Sequence, residues 1–181
     1  MVYILLGAGF EESEALVPAD LLRRAGIETR LAGVDALQVT GGHGITVTAD
    51  CLLSDVDLDG AEMLLLPGGL GGVRAIQGSP AALSLIRSAA ERGLWLAAIC
   101  AAPTILAGLG LLDSRRAVCY PGMENEMGAA LADQSAPVVI DGNFITAQAA
   151  GSSFPFALAL VEALRGPDAA EEVAHAVHYH R

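Results

Sequence analysis

The chain has 181 residues and a formal net charge of −11, and 53% of its residues are hydrophobic. This length suits one domain with a substantial core, so we expect a single domain over residues 1–181. The apolar content excludes a disordered chain, and no apolar run reaches the roughly 18 residues of a membrane-spanning helix. The ten basic residues are scattered, which argues against a nucleic-acid-binding surface.

Two further features of the composition predict a reducing environment. The first residues lack a basic leader and an apolar segment long enough for a signal peptide, so we expect a cytoplasmic protein. The three cysteines, Cys51, Cys100 and Cys119, include no CxxC pair. They therefore predict neither a disulfide framework nor a zinc site, and we expect no metal.

Apolar β-type runs alternate with helical patterns in the first half of the chain. The predicted elements are a strand over residues 2–6, a helix within residues 7–26 that Gly26 ends, a strand over residues 27–33, a hairpin over residues 37–50 around the GGHG loop, and a buried strand within residues 62–69 that ends at Pro67-Gly68-Gly69.

The second half continues the alternation. Residues 79–93 predict a helix with Ser79 as N-cap and Pro80 at its first position. The later elements are a strand over residues 94–99, a helix within residues 101–110, a hairpin over residues 138–148 with Asp141–Gly142 near its turn, and helices within residues 152–166 and 167–180. This order predicts an α/β fold with a doubly wound, mostly parallel sheet that helices cover on both faces.

Three predicted strands end in residues suited to chemistry. Glu11, Glu12 and Glu14 follow the first strand, Gly68 and Gly69 follow the strand within residues 62–69, and Cys100 follows the strand over residues 94–99. Ligands of open parallel sheets bind at the carboxyl ends of the strands, so these residues would share one site if the three strands are neighbours.

Cys100 has two interpretations. Free cysteines are commonly buried as small hydrophobes. At a sharp strand-to-helix turn, however, its thiol would project as a nucleophile, and the helix N-terminus would lower its pKa. The backbone N–H groups of Gly68 and Gly69 are candidate oxyanion donors. Glu14 is either a solvated carboxylate or, beside the thiol, a protonated donor that avoids like-charge repulsion.

The remaining thiols and histidines favour structural interpretations. Cys51 and Cys119 lie in or near β-type runs with no helix start after them, so we expect core packing for both. His175, His178 and His180 predict a solvated chain end rather than a metal site, because no carboxylate or cysteine completes the ligand set.

Five motifs occur in an order and spacing that resemble a known family. They are GFEESEA, LLRRAGI, LLLPGG, AAICAAP and GSSFPFALALVEAL. Over nearly the whole chain they resemble the ThiJ/PfpI superfamily, and within it the DJ-one-like branch. The resemblance implies a flavodoxin-like α/β sandwich, similar to class I glutamine amidotransferases, and a homodimer.

The resemblance also implies roles for individual residues. Cys100 matches the oxidation-sensitive nucleophile, Glu14 the protonated acid that hydrogen-bonds it, and Gly68, Gly69 and Ala101 the backbone donors of the pocket. Three further residues are candidates for a pocket or dimer contact: His43, Tyr120 and Arg24. Tyr120 stands where some relatives carry a histidine, and Ala101 stands where the peptidase branch has one.

The implied activity is a cysteine-dependent, cofactor-free glyoxalase or deglycase that acts on methylglyoxal-like aldehydes or their adducts and protects against stress. A Cys–Glu pair suffices for hemithioacetal chemistry. The alternative is a redox-sensing stress protein or chaperone in which Cys100 oxidises without turnover. A small ester or amide hydrolase, or a peptidase, is disfavoured because no Cys–His–acid triad can be assembled. We expect no cofactor, nucleic acid or membrane partner.

Overall fold

The computed structural model describes residues 1–180. Its strands and helices, in chain order, are β1 (Val2–Leu6), α1 (Glu12–Arg24), β2 (Thr29–Gly33), β3 (Gln38–Thr40), β4 (Thr46–Thr48), β5 (Cys51–Leu52), β6 (Met63–Leu66), α2 (Leu70–Gln77), α3 (Pro80–Glu91), β7 (Trp95–Ile99), α4 (Pro103–Gly108), β8 (Arg116–Ala117), β9 (Leu131–Ala132), β10 (Val138–Asp141), β11 (Phe144–Ala147), α5 (Ser153–Arg165) and α6 (Pro167–Ala176). Short 3₁₀ turns lie at Leu53–Asp55, Glu124–Glu126 and Ala150–Ser152.

A seven-stranded sheet forms the centre of the fold, in the order β10-β11-β7-β6-β1-β2-β5. All its pairs are parallel except β10 with β11, which form the predicted hairpin. The chain runs outward from β1 through β2 to β5 and then returns to β6 on the other side of β1. This reversal is a topological switch point, and it confirms the predicted flavodoxin-like, mostly parallel α/β fold.

Helices cover both faces of the sheet, and the strands alternate between two cores. On β1, Ile4 packs toward α1 and α5, whereas Leu5 packs toward α2, α3 and α4. Strands buried on both faces explain the continuous apolar runs of the sequence. The sheet thereby becomes a rigid platform whose strand ends carry the site.

Most predicted elements are confirmed. Ser79 caps α3 by accepting the Ala82 N–H at 3.2 Å, and Gly26 follows α1 with a φ of +71°. Four elements were missed: α2, because its two glycines indicated a loop, the two-residue strand β5, which directly follows the predicted hairpin, and the short pair β8 and β9, which show no alternation. Within residues 1–180 no helix is long and apolar enough to cross a membrane.

Candidate active site around Cys100

The three strand ends that the sequence singled out lie side by side. β7, β6 and β1 are consecutive in the sheet and parallel, so they end at the same edge. Cys100 follows β7, Gly68 lies two residues beyond β6, and Glu14 lies in the first turn of α1 after β1. The structure therefore brings the predicted nucleophile, backbone donors and acid together.

Cys100 occupies a strained elbow. Its φ is +66°, a left-handed conformation that few residues other than glycine adopt. Two hydrogen bonds hold it there: its N–H donates to the Ala147 carbonyl at 2.9 Å, and its own carbonyl accepts the Tyr120 N–H at 2.7 Å. Strain of this kind persists where the surrounding structure fixes it, and it occurs preferentially at functional sites. The elbow turns the half-buried thiol toward an open cleft.

Glu14 is a buried acid beside that thiol, with 1% of its surface exposed. Its Oε2 accepts the Gly68 N–H at 2.9 Å, and the Cys100 thiol is its other polar neighbour. Oε1 has no hydrogen-bond partner of standard geometry among the described residues. Burial, assisted by the charge of Glu11, raises the pKa of Glu14 to about 7, so the carboxyl can exchange a proton near neutral pH.

Gly68 has to be a glycine for this arrangement to form. A Cβ at this position would overlap Glu14 Oε2 and lie 2.6 Å from the Cβ of Cys100. The expectation that Gly68 donates to an oxyanion is corrected, because its N–H already donates to Glu14. The N–H groups of Gly69 and Ala101 donate toward the Cys100 sulfur and favour its charged form, and their role as oxyanion donors stays a prediction.

The predicted lowering of the Cys100 pKa is also corrected. Burial raises the pKa of this thiol to about 12, and the charge of Glu14 and its hydrogen bond act in the same direction. The predicted helix begins only at Pro103, and its first turn does not outweigh the loss of solvation. Because Glu14 opposes the thiolate only when it is itself ionised, a proton on Glu14 makes the thiolate easier to form.

A cleft of about 610 Å³ opens in front of the thiol. Its lining consists of Glu11, Gly69, Leu70, Cys100, Ala101, Tyr120, Pro121, Gly122, Met123 and Glu126. Tyr120 is thus placed in the pocket, as its motif suggested. Met123 and Glu126 were not predicted, because they come from a loop without hydrophobic periodicity. Glu11 was noted only as one of three acids, although its position at the end of the segment that joins β1 to α1 was a usable signal.

His43 and Arg24 do not line this cleft. The His43 side chain is 70% exposed, and its Nδ1 lies 2.9 Å from Glu12 Oε2. Although burial opposes it, hydrogen bonds from the His43 ring and backbone lower the pKa of Glu12 to about 2. Arg24 forms an exposed ion pair with Asp20 at 2.9 Å. A dimer contact through either residue stays a prediction.

The remaining candidate ligands are accounted for by protein contacts. Glu11, Glu12 and His43 place side-chain oxygen and nitrogen atoms within 4.8 Å of one another. Hydrogen bonds between His43 and Glu12 explain that proximity without an ion. Cys51 and Cys119 are buried in the core, 8% and 0% exposed, as predicted.

Comparison with known proteins gives similar chains over nearly the whole length. The protein is 37% identical over 174 residues to protein dj-1beta of Drosophila melanogaster, covering 94% of this chain and 92% of the relative. It is 32% identical over 165 residues to a protein named deglycase from Pyrococcus abyssi, covering 91% and 99%.

Solved structures agree. A cysteine-to-alanine mutant of the DJ-1 superfamily protein STM1931 from Salmonella typhimurium matches with a TM-score of 0.94 and 33% identity, covering 99% of this chain and 98% of that one. Oxidized DJ-1 from Toxoplasma gondii matches with a TM-score of 0.94 and 31% identity over the same shares. The sequence pattern of the DJ-1/PfpI family matches residues 1–163, and the chain belongs to the DJ-1/PfpI family.

Proposed function

We propose that this protein is a cysteine-dependent, cofactor-free enzyme of the glyoxalase or deglycase type that acts on methylglyoxal-like aldehydes or their adducts. One observation carries the proposal: the strained Cys100 faces an open cleft while a buried glutamate with a pKa of about 7 lies beside it. Relatives named deglycases in two Pyrococcus species support the same reaction class.

The Cys100–Glu14 pair contains one proton over much of the neutral and alkaline range, since its pKa values are about 7 and about 12. When the Cys100 sulfur attacks the aldehyde carbon of methylglyoxal, Glu14 accepts the thiol proton and then donates it to the new oxyanion. The product of this step is a hemithioacetal. The N–H groups of Gly69 and Ala101 stabilise negative charge at the sulfur as it enters and leaves.

Glu14 can then act a second time as a base. As a carboxylate it removes the proton from C1 of the hemithioacetal, which gives an enediolate, and it returns this proton to C2 while the hydroxyl proton on C1 passes to the C2 oxygen. The resulting thioester of lactate is hydrolysed by water, which releases lactate and regenerates the Cys100 thiol. No electron acceptor is needed, because C1 is oxidised while C2 is reduced.

A hydrolase with a Cys–His pair has less support. Among the described residues, no histidine lines the cleft. His43 is exposed and hydrogen-bonded to Glu12 in this chain. Ala101, the residue after the nucleophile, has no side chain that can act as a base. The base that lies beside Cys100 is therefore Glu14.

The proposal is tested by mixing the purified protein with methylglyoxal and measuring lactate. We expect Cys100→Ser to abolish lactate formation and Glu14→Gln to reduce kcat by at least about 100-fold, as for the loss of a general base. Cys51→Ser is the matched control and should retain activity, because Cys51 lies in the core at the far edge of the sheet. Full turnover by Cys100→Ser would refute the proposal.

The second candidate function is redox sensing without turnover. Of the three cysteines, Cys100 lines the cleft, and the N–H donors of Gly69 and Ala101 that face its sulfur would equally bind sulfinate oxygens. Mild peroxide should then add two oxygens to Cys100 and spare the buried Cys51 and Cys119. Reduced protein that forms no lactate but oxidises selectively would favour this function over the enzyme.

The proposal further includes a homodimer, as the family resemblance implies, and a cytoplasmic location, as expected from the first residues of the sequence. Light scattering after size-exclusion chromatography should give twice the 18.5 kDa mass of the chain. The mass of a single chain would remove the dimer from the proposal.

A further inference from the structure

The cleft in front of Cys100 is lined by acidic groups and by no basic ones. Among its described lining residues, Glu11 and Glu126 carry the charge, and there is no lysine, arginine or histidine. Glu124 lies beside the cleft in the same 3₁₀ turn as Glu126 and accepts the N–H of the lining residue Gly122 at 3.0 Å. A molecule that enters the cleft therefore passes carboxylates.

These carboxylates are not equally free to act on a substrate. Glu11 Oε2 lies 3.5 Å from His43 Nδ1, so a protonated imidazole offsets part of its charge, while the same nitrogen lies closer to Glu12 Oε2, at 2.9 Å. Hydrogen bonds from backbone N–H groups lower the pKa of Glu124 and keep it ionised. Glu126 lines the cleft, is exposed and has no ion pair or side-chain hydrogen bond within residues 1–180, so no cationic group among these residues offsets its charge.

We propose that the cleft selects carbonyl compounds by charge, with Glu126 as a specificity-determining residue: neutral and cationic substrates reach Cys100, and anionic ones are disfavoured. The inference rests on the proposed function for the identity of the site. Uncharged α-oxoaldehydes, and their adducts on groups that stay cationic, are compatible with the negative charge of the cleft. Aldehydes that bear a carboxylate or phosphate are disfavoured, because like charges repel in a partly desolvated cleft.

The test uses thiol reagents of one reaction class and three charges. Methyl methanethiosulfonate is neutral, the 2-(trimethylammonium)ethyl reagent is cationic and the 2-sulfonatoethyl reagent is anionic. Each converts a thiolate to a mixed disulfide and releases methanesulfinate. Rates at Cys100 are followed by mass spectrometry and divided by the rates with a small neutral thiol, which removes intrinsic differences between the reagents.

We expect the normalised cation-to-anion ratio at Cys100 to exceed one. Glu126→Gln should lower it by about three- to tenfold, the effect of one unit charge acting oppositely on the two reagents at a partly solvated site. The matched control is Glu91→Gln, an exposed residue at the end of α3 near the start of β7, at the opposite edge of the sheet from Cys100. It should leave the ratio unchanged. About 1 M salt should abolish the preference.

An unchanged ratio in Glu126→Gln, an equal change in Glu91→Gln, or no reaction of Cys100 with any reagent would overturn the inference. The readout is independent of turnover. A protein that forms no lactate but keeps a ratio sensitive to Glu126 would refute the proposed enzyme and retain the charge selection. A protein that forms lactate, but whose cation-to-anion ratio does not respond to Glu126→Gln, would retain the proposed enzyme and refute the charge selection.

Discussion

Replacing Glu14 by glutamine should remove a loss of stability that wild type suffers as the pH rises to mildly alkaline values, while impairing the reactive site. The folded protein raises the pKa of Glu14 from its usual 4.5 to about 7, chiefly by burial. The native state therefore binds this proton more tightly than the unfolded chain does. The stabilisation is complete below pH 4.5 and is lost as the pH rises to about 7.

The size of the effect follows from the displaced pKa. One pKa unit corresponds to about 1.4 kcal/mol, so the shift of Glu14 amounts to about 3 kcal/mol of unfolding free energy between acidic and mildly alkaline pH. In the Glu14→Gln variant the amide oxygen would accept the Gly68 N–H, and the side chain would not titrate. The unfolding free energy of wild type minus that of Glu14→Gln should thus fall by about 3 kcal/mol between about pH 4.5 and pH 8.

Urea unfolding of both proteins across this range measures the difference. Other titrating groups, including His43 with its raised pKa, cancel because both proteins contain them. Between about pH 7 and about pH 12 the pair holds one proton, on either Cys100 or Glu14. The expected change in unfolding free energy does not depend on which of the two holds it, because the pH dependence is set by the total number of protons bound. A difference that stays constant with pH, or rises, would refute the assignment of a raised Glu14 pKa.

Three further outcomes follow from single contacts. Gly68→Ala should lower the unfolding free energy by about 1–3 kcal/mol, because the new Cβ would overlap its neighbours. Gly108→Ala is the control and should not lower it, because its Cβ would have no neighbour within 4 Å. Similar thermal midpoints for the two variants would contradict the steric argument. By NMR, the imidazole of His43 should titrate above 6.5 because Glu12 stabilises its charged form, and Glu12→Gln should bring the pKa down; an unaltered titration would count against this pair. Ser79→Ala should cost about 1 kcal/mol in urea unfolding by removing the N-cap of α3, and an unchanged midpoint would show that the cap contributes nothing.

Local signals allowed the elements and the neighbourhood of the site to be predicted from the sequence. Helix α3 has a capping serine, a proline at its first position and a glycine after its end, and all three act within a few residues. The meeting of Cys100, Gly68 and Glu14 followed from one rule, that parallel central strands end at the same edge. Residue patterns carry information of this kind without knowledge of packing.

Features that depend on distant contacts were missed. Helix α2 looked like a loop because Gly71 and Gly72 weaken its helical pattern, yet both glycines let the helix approach the backbone of Gly9 and Phe10. The pKa of Cys100 was predicted in the wrong direction for a related reason. Its local helix start was visible in the sequence, but the burial that outweighs it comes from the whole sheet.

The Cys100–Glu14 pair also has a consequence for how the protein is made. Glu14, Gly68 and Cys100 follow β1, β6 and β7, which are neighbours in the sheet although β2 to β5 separate β1 from β6 along the chain. The three residues meet only when β6 has paired with both β1 and β7. On a growing chain, Glu14 and Gly68 are synthesised well before Cys100. The thiol therefore leaves the ribosome without its acid partner, which it meets when β7 pairs with β6, and without its elbow, which also needs the later residues Tyr120 and Ala147. The environment of this thiol is thus complete only when β11 pairs with β7 and brings Ala147 to the Cys100 N–H.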